Sequence, residues 1–504
     1  MIIRKTDVLI IGGGAAGVRA AVAARESNAD VLLVALNEIA EDGATYSNIS
    51  RGWGIQALLG KERNGADIDK FCREILKAGA GQCDPELVRI LVEESGPRVE
   101  DLISYGMRFK KNSDGDFLRA PGCFSKQKRA FLTENLENIK QTFSAILTKL
   151  AVKTIAGTVI DLITSNGECC GAWIISKNGN IILVRAKAVV LASGGGAGIF
   201  KNHLVSNTAT GDGYALALNA GALLINMEFI QFMLGLKNSE TSLFLPLREL
   251  SKSSIMQNSN GSDILKNYIP DNRVRKIAIQ LRQNHMPFSS SDASMLIDIA
   301  VAKAYENNKA LNWHGENYSD YGFIITHFAH AFNGGIKINK KAESTIPGLF
   351  AAGEVAAGPH GADRIGGCMM TATQVFGKRA GEYAAKRANN LKSHLPIKTE
   401  NINRFRESEL LPDKNRSSSL KKIENHIKLN MQKYVTILRS ERGLKNALDI
   451  LNKNEKSLHK LNSEKKLNTL NYTKIKNMLV TGKVIIKSAL ERKKSLGPHY
   501  MEDL

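Results

Sequence analysis

The stretch DVLIIGGGAAGVRAAVAARESNADVLLVAL, residues 7–36, decides the fold. Val8 to Ile11 is a short, wholly apolar run of the kind buried on both faces of a parallel sheet. Gly12, Gly14 and Gly17 follow as GxGxxG. The first glycine permits a tight turn, and the second lets the backbone approach a pyrophosphate. The third lets helix and strand pack closely. An alanine-rich helix is predicted over 15–27, with free N–H groups at its start facing phosphate, and a second strand over 30–36. A lone glycine triplet is weak evidence. Its strand–turn–helix–strand setting makes it a dinucleotide-binding turn.

One element departs from that pattern. An acidic residue usually ends the second strand and holds a ribose, yet Ala35 and Leu36 stand there, and Glu38 is the nearest candidate. NAD alone fits poorly without that acid. FAD, with more contacts along a longer groove, tolerates its loss. Two further apolar strands break into small residues, at 188–198 (AVVLASGGGAG) and 347–355 (PGLFAAGEV). Long insertions separate these turns, which argues for one nucleotide fold assembled from distant pieces.

Bulk properties bound the class. The 504 residues exceed one ordinary core, so two or three domains are expected. Hydrophobic residues at 43% and charged residues at 23% suit a soluble globular protein. No apolar run reaches the ~18 to 20 residues of a membrane span, and the first one ends in glycines, unlike a signal peptide. Six cysteines without CxxC spacing suggest a reducing compartment, so a cytoplasmic protein without a metal site is expected. The net charge of +20 concentrates late, as in SLKKIENHIK at 419–428. It reads as solvated helix faces, with an acidic partner or an anionic membrane surface as the sharper alternative. No recognition motif accompanies it, so nucleic acid is not expected.

Several ordered segments extend the picture: ATYSNISRGWGIQA at 44–57, SNTATGDGYALALNAGALLINMEFIQF at 206–232 and HAFNGGIKI at 330–338. GLFAAGEVAAGPHGADRIGG at 348–367, MQKYVTILRSERGL at 431–444 and ALERKKSLGPHYMEDL at 489–504 complete the set. Nearly end to end, the chain resembles the succinate dehydrogenase/fumarate reductase flavoprotein family, which also includes L-aspartate oxidase. The resemblance implies an α/β fold with a Rossmann-like FAD-binding domain, interrupted by an α+β capping domain and followed by a helical C-terminal domain. The expected boundaries are 1–230 and 326–392 for the FAD-binding domain, 231–325 for the cap and 393–504 for the helical domain. The last region shows helical periodicity, with Leu444, Leu448 and Leu451 on one face.

By resemblance, the cofactor lies along Gly12, Gly14, Ala16, Gly17, Glu38, Gly54, Asp212, Glu354, Gly367 and Met370. Cys368, Met369 and Met370 replace the family's frequent Asn-Ser-Leu. Membrane-bound members attach flavin through a histidine where this chain has Ser47, which implies non-covalent FAD. The family exchanges a hydride between flavin N5 and a small dicarboxylate, so fixed cations and donors must face the substrate. His330 matches the substrate histidine and Arg364 the carboxylate-binding arginine; His327 and His360 stand nearby. Ser291 occupies the position of the proton-transferring arginine, which it replaces poorly. His285, Arg282 and Asp292 are candidate substitutes. Met233 stands where histidine is frequent, and Phe124 where a glycine-histidine-serine run is. The expected activity is therefore that of an FAD enzyme acting on a small carboxylate. L-aspartate oxidase-like chemistry is an alternative. Another is a degenerate electron-transfer subunit serving an iron–sulfur partner peripheral to a membrane.

Overall fold

The computed structural model describes residues 2–47, 53–238, 242–245, 250, 255–258, 260–306, 312–314, 323–397, 418–463 and 469–503. The opening stretch folds as β1 (Ile2–Ile11), α1 (Ala15–Glu26) and β2 (Val31–Ala35). Three long strands follow: β3 (Lys153–Ser165), β4 (Glu168–Ser176) and β5 (Ile181–Leu191). Helix α2 (Asp212–Asn219) precedes β6 (Ile230–Lys237), which leaves this body. Strand β7 (Ile324–Phe332) returns to it, and β8 (Leu349–Ala351) completes the sheet.

The nucleotide-type sheet runs β3–β2–β1–β5–β8, all parallel. Strand β4 bridges the far ends of β3 and β5, antiparallel to both. Strand β1 begins six residues before the predicted run, because Ile2 to Thr6 pair with Ile182 to Ala186. Ile2 and Ile3 are exposed, so this extension is held by backbone pairing and leaves no mark of burial in the sequence. Behind the sheet, α1 lies against α3 (Cys368–Asn390). Their approach is close: a Cβ on Gly381 would sit 2.2 Å from the Ala20 carbonyl oxygen. Small residues on both helices thus bring their N-termini to the same edge of the sheet.

Strands β6 and β7 pair antiparallel and continue into a five-stranded sheet with 242–244, 255–257 and 312–314. Helices Asn272–Arg282 and Met295–Glu306 cover it. This cap has its own apolar cluster, including Leu234, Leu236, Ile297, Val301 and Ile325. Beneath it lies a buried polar knot. Arg282 pairs with Asp298 at 2.8 Å and donates to the carbonyls of His285 and Met286. Asp298 Oδ1 lies 3.2 Å from His327 Nε2. Arg282 and His327 are therefore consumed in holding the cap.

Helices α4 (Ser418–Tyr434), α5 (Glu441–Ser463) and α6 (Thr469–Glu491) form the helical C-terminal part. Leu444 and Leu451 are buried and Leu448 is partly so, as the periodicity requires. These side chains join the main core, with polar fasteners beside them. Thr481 donates to the Gly211 carbonyl at 2.9 Å, and Arg439 to that of Glu228. Arg492 and Ser488 both grip the buried Glu228 carboxylate.

Candidate functional site

A groove of about 400 Å³ runs along the C-terminal edge of the parallel strands. One end is walled by the Gly12–Ala16 turn and by Ala35 to Glu38 beyond β2. The other end is bounded by His330, Arg364, Gly367, Met369 and Met370. Ala192 to Gly195, after β5, and Ala352 to Glu354, after β8, form the middle. The glycine-rich strand ends singled out in the sequence are therefore brought together in one place.

The groove is built for close backbone approach. Gly12 has φ +119°, and a Cβ there would lie 2.2 Å from the Ala192 carbonyl oxygen. At Gly195 a Cβ would meet Glu354 Oε1 at 2.1 Å, so this glycine makes room for the carboxylate. Gly17 lies behind the groove, under the Gly12 carbonyl, where it permits α1 to close on the turn. Helices α1 and α3 both start at the groove on glycine N-caps, Gly14 and Gly367, with no side-chain cap. Their N-terminal dipoles therefore favour negative charge or carbonyl oxygen at each end.

Side chains lock this frame. Thr45 Oγ1 accepts from the Ala15 N–H at 3.0 Å, Tyr46 donates to the Gly13 carbonyl at 3.0 Å, and Trp53 donates to the Thr45 carbonyl at 3.1 Å. Asp42 accepts from Ser206, Thr208 and the Gly43 N–H. Burial raises its pKa, but these donors outweigh it and hold the carboxyl below its ordinary value. Glu354 Oε1 accepts from the Phe332 N–H at 2.9 Å, and burial pushes its carboxyl upward.

Predicted cofactor residues Gly12, Gly14, Ala16, Glu38, Ser47, Gly54, Glu354, Gly367 and Met370 all line the groove. Asp212 does not. Its carboxylate accepts from Thr210 at 2.7 Å and from Asn477 at 2.8 Å, tying the start of α2 to the C-terminal helix α6. These contacts fasten two parts of the chain, and the turn Gly211-Asp212 gave no sign of that distant partner.

His330 and Arg364 meet at the far end. His330 is partly buried, and its Nδ1 is shielded from solvent with no partner among the described residues. Burial, then the Arg364 charge, push its imidazole down to about 4. It is a neutral ring at pH 7. Arg364 donates to Gln231 Oε1 at 2.5 Å and to Asn333 Oδ1 at 3.2 Å, both uncharged amides. Among the described residues it makes no ion pair. A buried guanidinium without a counter-ion is costly, so this cation is poised for an anionic ligand. Gln231 and Asn333 were not singled out in the sequence, although each lies within a motif quoted for other residues.

The remaining candidates sit off the groove. Ser291 points to Asp363, with Oγ 3.2 Å from Oδ2. His285 Nδ1 lies 2.7 Å from the Pro287 carbonyl oxygen, and its Nε2 lies 3.1 Å from Ser294 Oγ and 3.7 Å from Asp292. Phe124 stacks on the His285 ring at 4.7 Å and adopts φ +63°, a conformation that a bulky side chain rarely takes. Met233 is buried in β6. His360 is buried, with Nε2 unpartnered among the described residues.

With this geometry in place, likenesses to known proteins can be set beside it. Residues 7–370 match the family described as FAD binding domain, and residues 424–504 match that described as Fumarate reductase flavoprotein C-term. An uncharacterized FAD-dependent oxidoreductase of Methanocaldococcus jannaschii is 31% identical over 99% of this chain and 94% of its own length. A fumarate reductase (CoM/CoB) subunit from Methanothermobacter marburgensis is 30% identical over the same shares, 99% and 94%. In structure, a chain of E. coli quinol fumarate reductase superposes with a TM-score of 0.80 at 21% identity, covering 99% of this chain and 92% of that one.

Proposed function

Since this chain belongs to the succinate dehydrogenase/fumarate reductase flavoprotein family, we propose that it is an FAD-dependent oxidoreductase whose substrate is a small unsaturated or saturated dicarboxylate. FAD as cofactor and oxidoreductase chemistry follow from membership. The substrate class rests on one observation: Arg364 is buried beside a neutral His330, held by two amides and by no carboxylate among the described residues.

The groove suits FAD. At Gly12 and Gly195 there is no room for a Cβ, and two helix N-termini with glycine N-caps open on it. The diphosphate would rest at Gly12 to Ala16, the ribityl chain near Glu354, and the ring near Gly54, Gly367 and Met370. Ser47 at the position of the family's linking histidine supports non-covalent attachment. When bound, FAD supplies a two-electron hydride donor or acceptor. Arg364 fixes one substrate carboxylate with charge-assisted hydrogen bonds. His330 Nδ1 can donate to a second without adding charge, since burial and the neighbouring guanidinium keep the imidazole neutral. Both groups face the oxygens on which charge accumulates during hydride transfer.

A relative named as one subunit of a fumarate reductase supports docking to a partner that carries electrons. No helix among the described residues is long and apolar enough to cross a membrane. In the test, FAD-loaded protein is reduced under anaerobic conditions and offered fumarate, other unsaturated dicarboxylates and monocarboxylate counterparts. Flavin reoxidation by dicarboxylates alone is the expected result. If no acid reoxidises it, the reading fails; hydrogen peroxide released on adding L-aspartate would point to amine oxidation instead.

A further inference from the structure

Two segments far apart in the chain line the groove together and are tied to each other. Leu204, Val205, Thr208 and Ala209 come from one; Asp42, Gly43 and Ala44, in the loop beyond β2, come from the other. Ser206 donates to Asp42 Oδ1 at 2.6 Å and Thr208 to Oδ2 at 2.8 Å, and the two hydroxyl oxygens are 2.7 Å apart. The Gly43 N–H adds a third donor to Oδ1 at 2.6 Å. Both oxygens of one carboxylate are thus engaged by hydroxyls of the other segment.

The 204–209 segment is rooted at both ends. The Leu204 N–H donates to the Ala329 carbonyl at 3.0 Å, and the Gly198 N–H donates to the Ala209 carbonyl at 2.9 Å. Between these roots, the Ser206 and Thr208 hydroxyls bond to no other distant part of the chain among the described residues. Leu204 is buried, whereas Asn207 and Thr208 are exposed. Ala15, Ala16 and Ala192, which line the groove at the strand ends, are buried as well. The clasp therefore stands at the solvent side of the groove, with an apolar residue beneath it.

We propose that residues 204–209 are a strap closing over bound FAD and that Asp42 is its latch, so that opening this latch sets the rate at which the cofactor leaves. This role rests on the non-covalent FAD groove argued above and is independent of which acid the enzyme takes. A flavin held without a bond to the chain leaves only when the walls around it part. Here parting breaks two charge-assisted hydrogen bonds, the stronger kind. Asp42 grips the strap through these hydroxyls and acts on the flavin through it, so it is a positioning residue. Breaking the latch opens the way in as well as the way out. Damage to the seat itself would instead slow entry.

The test uses the full chain loaded with radiolabelled FAD and chased with an excess of unlabelled FAD. Label retained after rapid desalting gives the release rate, with no turnover involved. Asp42→Ala, and separately the double variant Ser206→Ala with Thr208→Val, should release label at least ~10-fold faster than wild type. Uptake of FAD by the flavin-stripped variants, followed by flavin fluorescence, should be as fast as in wild type or faster. Release within about twofold of wild type in either variant overturns the latch. Slower uptake, or no uptake, overturns it too, because these residues would then build the seat. Label that stays with acid-precipitated wild-type polypeptide would sink the non-covalent reading and the latch with it.

Discussion

Replacing Arg364 with lysine keeps the positive charge and removes the planar fork. In the structure the guanidinium spends Nε on Asn333 and one terminal nitrogen on Gln231, leaving its remaining donors for a ligand. A lysine ammonium cannot span both amides and a carboxylate from the same position. At least one charge-assisted hydrogen bond to the substrate is lost, worth about 1.5 to 3 kcal/mol. That range weakens dicarboxylate binding about 10- to 150-fold, since ~1.4 kcal/mol is tenfold. Titrating FAD-loaded protein with succinate, and following the flavin absorption as the ring environment changes, measures the dissociation constant directly. Arg364→Lys should also leave Gln231 or Asn333 without a donor, so thermal stability should fall modestly. Unchanged FAD content in the variant separates ligand recognition from misfolding. A dissociation constant within threefold of wild type would refute the assignment of Arg364 as the substrate clamp.

Three other outcomes are expected. Gly12→Ala should bind FAD at least ~10-fold more weakly, because the added carbon meets the Ala192 carbonyl at 2.2 Å; equal flavin content after gel filtration would count against the groove. Arg282→Met should destabilise the cap by roughly 3 to 5 kcal/mol, because Asp298 stays buried without its main cation. Limited proteolysis reads that loss, and an unchanged cleavage rate would argue otherwise. The His330 imidazole titrates at about 4 in the folded chain against 6.5 as its ordinary value. The unfolded chain therefore takes up a proton first as pH falls below about 6.5, and stability drops by up to ~3 kcal/mol by pH 4. His330→Gln should lose less stability than wild type between pH 7 and 4.5 in urea titrations. Parallel losses in the two proteins would contradict the depressed value.

The nucleotide turn was legible because its demands are local: an apolar strand, glycines where a side chain cannot fit, and a helix start. His330 and Arg364 were legible only through their motifs, and the structure puts them at one end of the groove. What escaped the sequence is contact between distant segments. Asp212 looked like a ligand beside a small-residue turn, yet its partner, Asn477, lies on a helix 265 residues away. Arg282 and His327 looked like candidates for chemistry, but Asp298 had already claimed them. Ser291 shows the same limit from the other side. Its identity ruled out the expected role, and only the fold reveals Asp363 beside it.

Strands β6 and β7 are the stalk on which the cap is mounted. Each carries apolar side chains into the cap at one end and into the body at the other: Leu234 and Ile325 above, Ile230 and Phe332 below. The same two strands carry Gln231, which holds Arg364, and His330, which stands beside it. The mount of the cap and the support of Arg364 are consequently made from one pair of strands. The packing of the cap and the placement of the groups around Arg364 are therefore set together, and a substitution that shifts one register shifts both.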